Sequence, residues 1–280
     1  MLFGRYLSQM GPTHLPYVPI DAARLTAALA EDPATAGWPN PRVVSSTGST
    51  NADVVALAEA GAPRGTVVIA EEQVAGRGRL GRAWDSRAGS GIWMSVLLHP
   101  PLVASWSWLP LLVGVAVRDA LVAIGAPVDL KWPNDVIAGD PYAKVAGLLI
   151  EAVPDPRGAV IGIGINVHPE SVAGFPEATC VDRLVDRVDR TELAARVLTQ
   201  VARDYAEWAR VECDAVASGL AARYRAACRT LQWVVRVSLP DGSALVGRAV
   251  DIDADGRLRV EVDGQAHVIA AGDVTRVRPV

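Results

Sequence analysis

The sequence predicts an α+β fold, with helices packed on a mixed β-sheet and a small β-barrel at the C-terminus. Strand-like and helical runs interleave through residues 41–230, and two pairs of strands are spaced as hairpins, which fits a mixed sheet better than an all-parallel one. From residue 233 the pattern changes to short alternating runs separated by turns, which is typical of a small barrel. We therefore expect an N-terminal extension at 1–40, a main domain at 41–230 and a barrel at 231–280.

Local signals define the individual elements. Asp21 is a good N-cap for a short helix ending at Ala30, and Gly61 and Pro63 end a second helix that begins at Ser49. Apolar faces at helical spacing predict longer helices at 108–124, 191–207 and 214–227. Short apolar runs predict main-sheet strands at 42–45, 66–70, 91–98, 129–131, 144–153 and 159–167, with a turn at 154–158. Barrel strands are predicted to begin at Val235, Ala244, Arg257 and Ala266, with turns at 240–243 and 253–256.

The composition narrows the functional class. A formal charge of −4 argues against a general nucleic-acid binder, because neutralisation of phosphates drives that affinity. The longest apolar run, 109–125, is interrupted by Arg118 and Asp119 and falls short of the roughly 20 residues of a membrane span. No secretory signal is evident, and the 3 cysteines are not at metal spacing. We expect a cytoplasmic protein with reduced thiols, no membrane association and no specific DNA binding.

A glycine- and arginine-rich loop follows the strand at 66–70. Its sequence, Gly76-Arg-Gly-Arg-Leu-Gly81, matches the dinucleotide fingerprint G-x-G-x-x-G, but no helix follows and no acid lies about 20 residues on to hold a ribose. No G-x-x-x-x-G-K-[ST] phosphate loop is present either. A flexible cationic loop is suited to closing over an anion, and a solvated basic turn is the structural alternative.

Four further segments carry polar groups suited to a ligand. Ser49-Thr50-Asn51 opens a helix, where free N–H groups and hydroxyls can bind a small polar molecule or simply cap the helix. Gln73 precedes the loop and offers both a donor and an acceptor. The segment 131–135 has the sequence Lys-Trp-Pro-Asn-Asp, and Lys144 and Asn166 lie at the ends of apolar strands.

Together these segments resemble the biotin protein ligases. Residues 76–84 are similar to the family signature G-R-G-R-x-G-R-x-W, and the segments 49–51, 131–135, 144–147 and 164–166 follow in the family's order and approximate spacing. The likeness covers roughly residues 43–170, and the C-terminal segment resembles the family's SH3-like barrel. Because residues 1–40 look too short and irregular for a winged helix, the chain resembles the single-function members, which do not repress transcription.

The resemblance implies a two-step reaction. Biotin and ATP, with Mg²⁺, give biotinyl-5′-AMP and pyrophosphate, and the biotinyl group then passes to one lysine of a biotin carboxyl carrier domain of an acyl-CoA carboxylase. The residues at 41–230 would form the catalytic domain. The family's loop orders when ligand arrives, and Mg²⁺ would be held mainly by the ATP phosphates, with no protein ligands assigned.

The resemblance also implies roles for individual residues. Catalysis is expected of Arg79, Lys131 and Lys144. Biotin contacts are expected of Ser49, Thr50, Asn51, Gln73, Gly76, Arg77, Gly78, Arg79, Trp84 and Lys144. ATP contacts are expected of Arg77, Arg79, Arg82, Lys131, Trp132, Asn134, Lys144 and Asn166.

Two alternatives remain open at this point. A lipoate-type ligase would use the same acyl-adenylate chemistry, although lipoate lacks the ureido ring that the 49–51 segment suits. A non-catalytic module that senses biotin or a nucleotide is the other, but the presence of both Lys131 and Lys144 favours an active ligase. We expect a monomer or a weak homodimer.

Overall fold

A computed structural model describes residues 18–139, 142–153, 158–239, 242–270 and 272–277. The first 17 residues of the predicted N-terminal extension at 1–40 lie outside the described residues. So do residues 154–157 of the predicted turn at 154–158 and residues 240–241 of the turn at 240–243.

The main sheet is mixed, as predicted. Its seven described strands are β1 (Arg42–Val44), β2 (Val67–Ala70), β3 (Gly91–Leu98), β4 (Val128–Lys131), β5 (Asp135–Ala138), β6 (Ala143–Val153) and β7 (Gly158–Asn166). They lie in the order β1-β2-β3-β7-β6-β5-β4. Among them, β1 and β2 run parallel and all other neighbours are antiparallel.

Strand β5 was not predicted. It follows β4 after a turn of three residues, 132–134, and pairs with both β4 and β6. Four residues that share one segment with a proline-containing turn carry too little periodicity to be recognised as a strand. Its position matters because it brings residues 131–135 next to the start of β6.

The described residues include five α-helices: α1 (Ala22–Ala30), α2 (Thr50–Glu59), α3 (Leu109–Ala123), α4 (Arg190–Arg210) and α5 (Leu220–Ala227). Helix α1 packs mainly on α4, and the other four contact the main sheet. Asp21 caps α1 as predicted, accepting from the backbone N–H groups of Ala23 and Arg24. The predicted start of the last helix at Asp214 was wrong. Asp214 caps only a turn, and Gly219, in the left-handed region at φ 74°, precedes the helix itself.

Helix α3 is the central helix of the core. Residues Val103–Ala123 are by length and composition apolar enough to cross a membrane, and 61% of the apolar window is buried inside the protein. The helix packs on α4, α5 and strands β4 to β6. Its burial in the core explains why the helix is so apolar, although Arg118 and Asp119 interrupt the apolar run.

The C-terminal segment forms a second, antiparallel sheet. Its described strands are β8 (Val234–Ser238), β9 (Ala244–Ile252), β10 (Leu258–Val262), β11 (Gln265–Ile269) and β12 (Asp273–Arg276), of which β12 was not predicted. They lie in the order β11-β10-β9-β8-β12. This arrangement agrees with the predicted SH3-like fold. The indole N–H groups of Trp108 and Trp132 donate to the carbonyls of Ala254 and Gly256, at 2.7 and 3.1 Å, so the second sheet is fixed against the main domain.

Candidate active site

A narrow slot lies between the start of α2 and the faces of β6 and β7. Ser49 lines the slot, and within the described part of the chain its hydroxyl makes no capping hydrogen bond to α2, although it is buried. Simple N-capping therefore does not explain this serine. Beside it, the backbone N–H of Thr50 donates to Gln73 Oε1 at 2.9 Å, and Gln73 Nε2 donates to Ser86 Oγ at 2.8 Å. The polar end of the slot is thus prearranged.

The opposite wall of the slot is an indole resting on two glycines. Gly147 and Gly164 are register partners on β6 and β7. A Cβ on either one would lie 2.8 Å from the Trp84 ring. Trp93 meets the same ring edge-on, with centroids 6.3 Å apart. The slot has a volume of about 50 Å³, which at ~10–15 Å³ per water is room for only about four waters.

The glycine- and arginine-rich loop forms a compact turn over this slot. Gly78 N–H donates to the Arg82 carbonyl at 2.7 Å, and Trp84 N–H donates to the Gly76 carbonyl at 2.9 Å. A Cβ at Gly76 would lie 2.4 Å from the Trp84 carbonyl oxygen, so only glycine fits at the base of the turn. Leu80, at the tip, has φ 57° and is exposed.

The loop arginines point in different directions. Arg79 donates to Asn134 Oδ1 at 3.0 Å and to the Gly272 carbonyl at 3.3 Å, and burial lowers its pKa. Arg82 forms an ion pair with Asp273, the first residue of β12. Arg77 turns back towards β6, where it meets Glu151 at 3.0 Å. The loop is therefore attached to both sheets.

Two lysines, of which Lys144 lines the slot, share one carboxylate. Lys144 Nζ lies 2.6 Å from Asp135 Oδ1, and Lys131 Nζ lies 3.5 Å from Asp135 Oδ2. Lys144 Nζ also lies 4.9 Å from the centroid of the Trp84 ring. Asp135 offsets the repulsion that the two ammonium groups would otherwise exert on each other.

A larger cavity of about 940 Å³ adjoins the slot, and both are lined by Gly78, Arg79, Trp84, Asn134 and Lys144. Tyr142 and Trp233 form an aromatic wall of the larger cavity, with centroids 5.2 Å apart and Arg276 against both rings. Asn166 also lines it, while its amide group donates to the carbonyls of Lys144 and Thr179, both at 3.3 Å. Asn166 thus joins the start of β6 to the segment that follows β7.

Most of the residues predicted for the site come together here. The described residues that line one or both cavities include Ser49, Thr50, Asn51, Gln73, Arg77, Gly78, Arg79, Arg82, Trp84, Lys131, Asn134, Lys144 and Asn166. Gly76 and Trp132 are not among them: Gly76 shapes the base of the loop, and the indole of Trp132 is buried against the second sheet. The roles expected of these residues stay predictions.

Several residues of the site were not recognised in the sequence. Asp135 belongs to the segment 131–135, but no role was predicted for it. Ser95 and Glu151 lie in apolar strands, where their isolated polar side chains could have indicated a function. Tyr142 and Trp233 are 91 positions apart, so only the fold reveals their contact. Among the described residues, no group of three or more His, Cys, Asp or Glu side chains could hold a metal ion.

Comparison with known proteins assigns the family. The model of the biotin/lipoate A/B protein ligase family matches residues 41–167, and that of the biotin protein ligase C-terminal domain matches residues 235–276. The biotin–[acetyl-CoA-carboxylase] ligase of Mycobacterium tuberculosis is 43% identical over 254 residues, which cover 88% of this chain and 92% of that protein. The chain belongs to the biotin protein ligases. The resemblance noted in the sequence is thereby confirmed.

Further relatives support the same assignment of this biotin protein ligase. The bifunctional ligase/repressor BirA of Bacillus subtilis is 32% identical over 250 residues, covering 83% of this chain and 71% of that protein. The biotin protein ligase from Aquifex aeolicus, solved in complex with biotin and ATP, is similar with a TM-score of 0.73 and 27% identity. The match covers 86% of this chain and 100% of that one, which confirms the predicted fold class.

Proposed function

We propose that this chain activates biotin with MgATP to biotinyl-5′-AMP and then transfers the biotinyl group to a lysine of a carrier domain. The observation that carries the proposal is the junction of the two cavities, where Arg79, Asn134 and Lys144 line both. A small acid in the slot and a nucleotide in the larger cavity would meet there. Attack of a carboxylate on an α-phosphate joins two anions, and fixed cations at the meeting point lower that barrier.

The polar end of the slot suits the ureido group of biotin. That group offers a carbonyl oxygen and two N–H donors, so it needs both donors and acceptors from the protein. The Ser49 hydroxyl and the second N–H of Gln73 can donate, and the Thr50 oxygen can accept. Gly147, Gly164 and Trp84 supply the flat apolar walls that a fused ring requires. Lipoate has no ureido group and would leave these polar atoms unpaired.

In the first step, a biotin carboxylate oxygen bonds to the α-phosphorus, and the bond from that phosphorus to the bridging oxygen of pyrophosphate breaks. Lys144 and Arg79 stand where the carboxylate and phosphate would approach, and Lys131 stands beside them. Burial of Arg79 removes competing water and strengthens its attraction for an anion. Loss of one such group costs typically ~10²–10³-fold in rate.

The larger cavity suits the nucleotide. Tyr142 and Trp233 offer aromatic surface, and Arg276 and Arg82 offer positive charge at its edge. Mg²⁺ enters as part of the MgATP substrate and is held through the phosphates.

In the second step the acceptor amine, after losing a proton, bonds to the acyl carbon, and AMP leaves with the electrons of the anhydride bond. The acceptor we propose is the biotin carboxyl carrier domain of an acyl-CoA carboxylase in the cytoplasm. Because an acyl-adenylate is hydrolysable, closure of the loop at 76–84 protects it from water until that domain arrives. The absence of specific DNA binding and of membrane association, and a monomeric or weakly dimeric state, stay predictions.

The deciding experiment is transfer of labelled biotin to a purified carrier domain, with and without ATP and Mg²⁺. We expect labelling of one carrier lysine that needs both. Thermal shifts with biotin and with lipoate, measured in parallel, separate the two acids, because a bound ligand stabilises the folded protein. Transfer of lipoate but not biotin, or no ATP-dependent transfer at all, would refute the proposal.

A further inference from the structure

A chain of hydrogen bonds runs beneath the slot and joins its floor to the loop at 76–84. On one side, the Thr50 and Ser95 hydroxyl oxygens are 2.7 Å apart, and Ser95 Oγ is 2.6 Å from Asn51 Oδ1. On the other, Asn51 Nδ2 donates to Glu151 Oε2 at 2.6 Å, and Arg77 donates to the same oxygen at 3.0 Å. The two bonds that converge on Glu151 join α2 and the loop to β6.

The backbone around this chain leaves little freedom. Ser95 is fully buried on β3, and its register partner Gly162 lies under the Asn51 amide, where a Cβ would be 2.3 Å from Oδ1. Asn51 itself is buried. The amide is therefore held flat against the sheet, with its nitrogen towards Glu151 and its oxygen towards Ser95.

The carboxylate of Glu151 fixes the direction of these bonds. An ionised carboxylate only accepts, so Asn51 must present its NH₂ group to Glu151 and its carbonyl oxygen to Ser95. Ser95 has one hydroxyl proton, which goes to Asn51 Oδ1, so its oxygen can only accept from the Thr50 hydroxyl. The Thr50 hydroxyl also lies 3.1 Å from Gln73 Oε1, a second acceptor for the same proton. Glu151 thus fixes the orientation of the Asn51 amide and, through it, the direction of the Ser95 proton.

We propose that Glu151 is a positioning residue that couples the biotin slot to the loop. It fixes the amide of Asn51, and through that amide Ser95, beneath the slot, and it also holds Arg77, so one carboxylate joins the start of α2 to the loop. This inference rests on the proposed function, since it names residues that prepare the same site. Replacement by glutamine keeps the shape but removes the charge and allows the amide to present a donor.

Glu151→Gln should weaken biotin binding about tenfold, the factor that corresponds to roughly 1.4 kcal/mol. The KM for ATP should stay within about twofold, because the two partners of Glu151, Asn51 and Arg77, line the slot and are absent from the described residues that line the larger cavity. Release of preformed biotinyl-AMP should also accelerate. Glu72→Gln is the matched control: it removes the same charge near β2, where the carboxylate accepts from the Ser46 hydroxyl instead of from the slot.

A double variant of Arg77 and Glu151 distinguishes a positioning role of Glu151 from general structural support. If Glu151 acts through Arg77, the release rates of Arg77→Gln, Glu151→Gln and the double variant should be alike within about threefold. Multiplied effects in the double variant, or an equal rise in both KM values together with a lowered Tm, would overturn the inference. A Glu151→Gln enzyme that binds biotin and retains the adenylate like the wild type would do so as well.

A readout independent of catalysis completes the test. Trypsin cleaves after arginine, so the rate of cleavage at Arg77, Arg79 and Arg82 measures how accessible the loop is. Glu151→Gln should be cut in the loop several times faster than Glu72→Gln, and equal rates would overturn the inference. Should Glu151→Gln fail to fold, Glu151→Asp replaces it, because the shorter carboxylate cannot reach both partners. A wild-type enzyme that forms no biotinyl-AMP would instead refute the proposed function.

Discussion

Substitution of Gly164 by alanine tests the geometry of the slot most directly. The new Cβ would lie 2.8 Å from Cε2 of Trp84. Because 3.4 Å is the lower limit of ordinary contact, the indole must move by about 0.6 Å or the strand must yield. Overpacking of this kind costs ~1–3 kcal/mol, and alanine recovers ~0.5–1 kcal/mol in a strand. We expect a net loss of roughly 1–2 kcal/mol, which lowers Tm by about 2–8 °C.

The effect on ligand binding should be larger than the effect on stability. One added methyl group in a tight pocket changes affinity by ~10–200-fold, so the Kd for biotin should rise by a factor in that range while ATP binding changes little. Isothermal titration with each substrate measures both. Gly37→Ala is the control, since no described heavy atom outside its own neighbours lies within 4 Å of the position that its methyl group would take. Biotin affinity unchanged in Gly164→Ala would show that biotin does not use the slot.

Three further predictions concern the cations and the thiols. Lys144→Ala should lower ATP–pyrophosphate exchange by at least ~10²-fold, and exchange at the wild-type rate would remove Lys144 from the mechanism. Arg79→Gly should release biotinyl-AMP early and biotinylate bystander proteins, as mass spectrometry of a mixture would reveal, whereas unchanged selectivity would contradict it. Burial raises the pKa of each cysteine thiol, so the thiolate fraction at pH 8 is small and an aromatic disulfide reagent should react only after denaturation. Rapid native labelling would contradict the placement of Cys180, Cys213 and Cys228.

The sequence was most informative where a pattern is local. The N-cap at Asp21 and the strand 91–98 lie where they were predicted, because capping and apolar runs depend on neighbouring residues. Short elements such as β5 and β12 were missed, since their stability comes from pairing with distant strands. Asp214 was misassigned for a related reason: a capping residue followed by apolar residues fits a turn as well as a helix.

The same distinction between local patterns and distant contacts applies to the site. By itself, the sequence determined which side chains were available and in which order: the glycines that permit a tight loop, the arginines and lysines that suit an anion, and the family to which that order belongs. Only the tertiary structure decided which of them meet. Arg79 reaches Gly272 across 193 positions, and Arg77 and Asn51 share the carboxylate of Glu151. Such contacts depend on sheet register and helix docking, which many residues determine jointly, so no local pattern encodes them.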